Sequence, residues 1–240
     1  MRPLLLLSLA AIAPALVSCG AQTPYATTIG VLHPGEQLVI HIASGTVNAY
    51  APAIGDPKDR FTVEAFARTE PAPAAPQIRL VRNGIEVDAP ALRSLLVRVP
   101  DRANLAVISD GGDVNVTDIS GSATVTTASG EVTLMLPDYG RARVVRHGDI
   151  SAIIGAASWP GTLRFSTPNG NVSVSVNEND RFDASLLTRH GTIFTDFDLR
   201  GSARGARERI AAPVNGGAPY GVAVTTGRGA IRLLRLAPQY

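Results

Sequence analysis

Residues 109–136 read SDGGDVNVTDISGSATVTTASGEVTLML. Apolar and polar residues alternate, break at a glycine, and alternate again. Val114 and Val116 share one face, as do Ala123 and Val125, and then Val132, Leu134 and Leu136. Asp113, Asn115, Thr124, Thr126, Glu131 and Thr133 fall on the other. Successive side chains of a strand point to opposite faces, so strict alternation predicts half-buried strands.

The unit recurs as Thr-x-x-Gly-x-Val. Thr127, Gly130 and Val132 fit, as do Thr167, Gly170 and Val172; Thr188, Gly191 and Ile193; and Thr226, Gly229 and Ile231. Looser copies are Ser109, Gly112, Val114; Val145, Gly148, Ile150; and an early Ile42, Gly45, Val47. The glycines at 112, 130, 148, 170 and 191 lie 18, 18, 22 and 21 residues apart. A fixed period near twenty is the mark of a stacked solenoid. Each interval holds two short strands and two corners. The glycine supplies a corner conformation that is costly for residues with a β-carbon. The β-branched residue two places on starts the next inward-facing strand. Coils stacked at about 4.8 Å would bring the threonines into a ladder, their hydroxyls satisfying corner backbone groups or one another. The predicted fold is therefore all-β, an elongated parallel β-solenoid or β-helix-like repeat.

Upstream, strand-like runs cover Gln37–Ala43, Thr46–Tyr50, Phe61–Ala67, Gln77–Arg82 and Arg93–Val99. Leu92–Val97, between Pro90 and Pro100, reads as a buried strand. The three prolines of Glu70–Pro76 favour an extended surface connection. Residues 20–36 show no periodicity and read as a tether.

The 240 residues are 45% hydrophobic but 5% aromatic, which implies a core of Val, Ile, Leu and Ala. Twenty-two basic residues against twenty acidic ones leave a formal charge of +2, too small an average to mark a polyanion-binding chain. No nucleic-acid partner is expected.

The first eighteen residues read as a signal peptide, with Arg2 before the apolar run Leu4–Val17, which is too short to span a bilayer. Leu16-Val17-Ser18-Cys19 resembles the bacterial lipobox. That resemblance implies cleavage before Cys19, lipidation of its sulfur, and a membrane partner reached through the lipid anchor. Several acyl chains together give stable anchorage. Cys19 is the single cysteine, so no intramolecular disulfide forms. Gly20 follows it, and under the sorting rule for Gram-negative lipoproteins a residue other than Asp there implies the outer membrane. The expected organisation is a signal peptide at 1–18, a lipid anchor and tether at 19–36, and the repeat domain at 37–240.

Leu96-Val97-Arg98-Val99-Pro100, the run at 109–136 and the T-x-x-G-x-I-x-L at 226–233 together resemble the bacterial β-strand-repeat family known as putative adhesins. The resemblance spans roughly 37–236. It implies a non-enzymatic, adhesin-like binding or spacer module of the cell envelope, with envelope polymers or glycans as candidate partners. It carries no catalytic motif.

The residues agree with that reading. Gly201-Ser202-Ala203-Arg204-Gly205 has its serine in the wrong place for a nucleophile elbow, and no phosphate-binding loop appears. No cofactor or metal site is expected: Cys19 belongs to the anchor, and Asp110, Asp113 and Asp118 lack the repeated nonapeptide of calcium-binding solenoids. Arg146-His147-Gly148 and Arg189-His190-Gly191 share one phase of the repeat, which would place them on one edge two coils apart. They read either as turn-tolerant corner residues or as an anion-binding edge. The Arg200–Arg209 loop, with Arg204, Arg207 and Arg209 against Glu208, reads as a solvated loop or a phosphate contact. Trp159 reads as packing under a loop rather than as a surface anchor. Two competing functions are a self-assembling scaffold joined through open solenoid ends, and a polysaccharide-acting enzyme, which would need clustered carboxylates on one face.

Overall fold

The computed structural model describes residues 23–136, 139–155 and 158–236. The signal segment and Cys19 lie outside them. The described residues form nineteen strands and no helix, all joined in one hydrogen-bonded sheet. The first five are β1 (Ala26–Val31), β2 (Gln37–Tyr50), β3 (Arg60–Phe66), β4 (Gln77–Val81) and β5 (Gly84–Arg98). Then come β6 (Asn104–Ser109), β7 (Val114–Thr117), β8 (Ser122–Ser129), β9 (Val132–Leu136), β10 (Tyr139–His147) and β11 (Ile150–Ile154). The remainder are β12 (Thr162–Asn169), β13 (Val172–Asn177), β14 (Phe182–His190), β15 (Ile193–Thr195), β16 (Gly201–Arg204), β17 (Arg207–Val214), β18 (Gly221–Arg228) and β19 (Ile231–Leu236).

Two parallel ladders run through this sheet. The first pairs the leading half of β5 with that of β2, then β6, β8, β10, β12, β18 and β14. The second pairs the trailing half of β5 with that of β2, then β7, β9, β11, β13, β19 and β15. A corner joins the two ladders in every repeat. Inward rows run straight across the strands. Val107, Val125, Ala142, Phe165, Val224 and Leu186 form one, with small Ala142 beside large Phe165. Val116, Leu134, Ala152, Val174 and Leu233 form another. All are buried and belong to one apolar cluster. A single strand pair could not shield its apolar side from water; lying side by side in the ladders shields them all.

The corner chemistry follows from the repeat. Gly45, Gly112, Gly130, Gly148, Gly170, Gly229 and Gly191 stack in that order. At Gly170, with φ at +153°, a β-carbon would run into the Gly148 carbonyl oxygen, so both conformation and contact demand glycine. The threonines before the glycines are buried. Thr167 donates to Gly148 O at 2.9 Å, Thr226 to Gly170 O at 2.8 Å and Thr188 to Gly229 O at 3.0 Å, each reaching the next coil. Ser109 and Thr127 instead donate within their own corners, to Gly111 O and Ser129 O. One place past the glycine an Asx side chain completes the corner. Asp113 accepts from Glu131 N, Asp149 from Asn171 N, and Asn171 Oδ1 from Ala230 N.

The structure departs from expectation in four places. Residues 20–36 are not a featureless tether: β1 lies within them, paired antiparallel with β3, and Leu32 is buried. Gly84–Ala89 is a strand that the pattern reading passed over. The sheet is not uniformly parallel, because β4, β3 and β1 cover one end antiparallel, and β17 and β16 cover β14 at the other. Finally, the interval from Gly191 to Gly229 does not hold a loop followed by a strand pair stacked in chain order. Its middle is the β16–β17 hairpin, and the closing pair β18–β19 inserts between β12–β13 and β14–β15. The same permutation occurs at the start, where β2 sits between β5 and β6.

Candidate functional site

The arginine–histidine pairs meet on one edge, as their phase predicts, but three coil steps apart rather than two, because β18 intervenes. Each residue before a corner glycine accepts that edge's backbone bond: Gly130 N donates to His147 O, Gly148 N to Asn169 O, Gly170 N to Arg228 O and Gly229 N to His190 O. His147, Asn169, Arg228 and His190 therefore form one column. Beside it, Pro168 and Gly227 floor a shallow groove whose walls include Arg143, Arg189 and Val145, with Ser166 and Thr225 adjoining.

The groove continues onto the outward rows of the first ladder. Arg141 lies directly opposite Arg164, and Arg143 opposite Ser166, which precedes Thr225, Leu187 and Arg209 in the same row. Like charges directly opposite on neighbouring strands repel. Arg141 is relieved in part by the Tyr139 ring, 5.4 Å from its guanidinium carbon. Among the described residues no carboxylate pairs with Arg141, Arg143, Arg164, Arg189, Arg209 or Arg228; the ion pairs there all join residues between 41 and 101. Of the nearby acids, Glu208 accepts from Ile193 N at 2.8 Å and Asp149 from Asn171 N at 2.8 Å, while exposed Asp183 lines the same face as Arg164 without forming an ion pair with it.

The Arg200–Arg209 segment is no loose loop but the β16–β17 hairpin, turning at Gly205. Trp159 is buried, its Nε1 donating to Gly221 O at 3.1 Å, with Phe182 and Tyr220 against its rings. It is packing and not an anchor. Asp113 is the corner acceptor described above.

One cluster escapes any local pattern. His41, Glu86 and Asp88 bring ligand atoms within 4.8 Å of one another. His41 Nε2 lies 3.3 Å from Glu86, and the Arg79 guanidinium bonds to Asp88 and lies 3.7 Å from Glu86. Only the β2–β5 register, which sets His41 opposite Asp88, unites residues so far apart in sequence. Arg79 already balances the carboxylates, so the group reads as a surface charge network.

No family model matches the chain, and no curated protein does. Among solved structures it is similar to one described as a "putative cell adhesion protein" from Clostridium sporogenes, at 11% identity, with 88% of this chain and 99% of that one covered and a TM-score of 0.45. It is also similar to a "putative adhesin" from Bacteroides fragilis, at 9% identity, covering 90% and 100%, with a TM-score of 0.35.

Proposed function

We propose that this chain is an envelope-anchored, non-enzymatic β-repeat lipoprotein, an adhesin-like binding or spacer module at the cell surface or in the periplasm. In this reading the two parallel ladders are the walls of one solenoid. The observation that carries it is the corner column from Gly45 to Gly191. Apart from bulges at Val144–His147 and Ser44–Thr46, it keeps the outward rows in register from coil to coil, which suits a rigid display of polar side chains. In this reading anchorage rests on Leu16–Cys19, and Gly20 after the cysteine favours the outer membrane. Cys19→Ala should move the protein from the membrane pellet to the soluble fraction.

The partly covered ends favour a discrete module over a self-assembling scaffold. Antiparallel strands lie on β5 and β14, where a growing filament would need bare parallel edges, and among the described residues only three-residue β15 ends a parallel ladder with no further strand on it. The core cluster spans Leu32 to Leu233, so the chain from residue 20 holds all of it. Size exclusion with light scattering on that form should give a monomer, and a panel of glycans, peptidoglycan and lipopolysaccharide should give at least one bound partner. Concentration-dependent growth, or cleavage of a panel member, would overturn the reading.

A further inference from the structure

The small net charge hides a segregation. Residues 139–236 hold thirteen arginines against seven carboxylates, whereas residues 23–136 hold eight basic residues against twelve acidic ones. The fold concentrates this difference. Arg141, Arg143, Arg164 and Arg209 project on the outward rows of the first ladder, and Arg189 and Arg228 line the adjoining edge. All six are exposed.

We propose that this face, running from β10 across β12, β18 and β14 to β17, docks a linear acidic polysaccharide. The inference rests on the reading of the chain as a binding module and names the class of its ligand. Three observations select that class. First, Arg141 and Arg164 stand side by side with no carboxylate paired to either, an arrangement that costs stability until an external anion bridges them. A guanidinium matches a carboxylate in a two-pronged geometry. Second, the face is shallow and long, four strand steps or about 19 Å from β10 to β17. Hydroxyls at Ser166, Thr225 and Ser185 lie between the arginines, fit to bond sugar hydroxyls. The aromatic rings bordering these rows are Tyr139, set against the Arg141 guanidinium, and Tyr220, packed on Trp159, so no run of free rings offers bases a stacking platform and the face differs from one that binds single-stranded nucleic acid. Third, the chain enters at the opposite end, where β1 lies on β3 and β3 on β5. The arginine coils begin four strand steps from β5. A lipid at Cys19 would therefore hold them away from the membrane that carries it.

The test uses the chain from residue 20, with polygalacturonate as the probe and neutral dextran, peptidoglycan and vesicles of phosphatidylglycerol in phosphatidylcholine beside it. Polygalacturonate should bind, and binding should weaken as salt rises from about 50 to about 300 mM, since exposed charges are screened. Arg143→Ser with Arg164→Ser should lower affinity at least about tenfold. Arg68→Ser with Arg93→Ser removes the same charge from exposed sites elsewhere and should change it less than about twofold. Matching thermal melts of the variants confirm that the fold is kept. Equal losses from both pairs would overturn the proposal in favour of net charge. Binding to the vesicles but not to polygalacturonate would overturn it in favour of a lipid surface. Binding of peptidoglycan or dextran alone, unmoved by the arginine changes, would overturn the acidic ligand while leaving the binding module standing. Binding of nothing in the panel would overturn both.

Discussion

The Thr226 hydroxyl donates a 2.8 Å hydrogen bond to the carbonyl of Gly170, 56 residues away in sequence and one coil away in space. Thr226 is fully buried. The bond ties the β18–β19 corner to the β12–β13 corner, against which Gly229 also stacks. Thr226→Val keeps the shape and removes the donor, leaving a buried carbonyl short of its partner. We expect a loss of about 1–3 kcal/mol in urea unfolding. Thr226→Ser, which keeps the hydroxyl, should lose less than Thr226→Val.

Strand register is tested at β13. Val174 is fully buried between Ala152 and Leu233, whereas Ser173 is partly exposed between Ser151 and Arg232. Val174→Asp places a carboxylate in the core with no partner and should cost about 3 kcal/mol or more. Ser173→Asp should stay within about 0.5 kcal/mol, with Arg232 alongside. A slip of one residue would exchange the two results. Equal melting temperatures would mean that β13 is not half-buried.

Asp180 gives a pH dependence of known sign. It is buried in the turn between β13 and β14, and burial raises its carboxyl above the ordinary range against hydrogen bonds from Asn177 that lower it. A raised folded-state value means that its contribution is present below the unfolded value and is lost as pH rises through the folded one. Asp180→Asn does not titrate. Its stability relative to the parent should therefore improve between about pH 3 and about pH 7, read from denaturation midpoints. A relative decline would show that Asn177 holds the carboxylate as an anion and outweighs burial.

The corners were legible in the sequence because the same residues recur at the same phase of each repeat. A glycine that admits no β-carbon, a threonine three places earlier and a β-branched residue two places later mark every corner, although the contacts that require the glycine and several of the threonines reach across to the neighbouring repeat. The inward rows were legible for the same reason, as in Val172, Val174 and their alternating serines. The order of the coils was not. All coils present similar apolar faces, so the pattern of β19 fits beside β13 as well as beside β15, and only the assembled sheet shows that it lies between them. β1 escaped notice because its burial alternates only between intermediate and exposed, leaving a weak apolar signal. The Asx acceptors at 113, 149 and 171 follow the glycines at 112, 148 and 170, a signal that the repeat itself carries. The arginine face was hidden by averaging, since an acidic first half offsets a basic second half in any whole-chain sum.

The permuted order of the parallel strands is the central structural claim, and cysteine cross-linking reaches it directly. Arg232 lies opposite Ser173 on one side and Phe194 on the other, which leaves Ser173 and Phe194 two strand steps apart. That is about 10 Å, beyond what a disulfide spans. In the chain from residue 20, which lacks the only native cysteine, Ser173→Cys with Arg232→Cys and Arg232→Cys with Phe194→Cys should each oxidise to an intramolecular disulfide. Ser173→Cys with Phe194→Cys should remain reduced. Closure of the 173–194 pair, with the 173–232 pair left open, would place β15 against β13 in simple chain order and contradict the account.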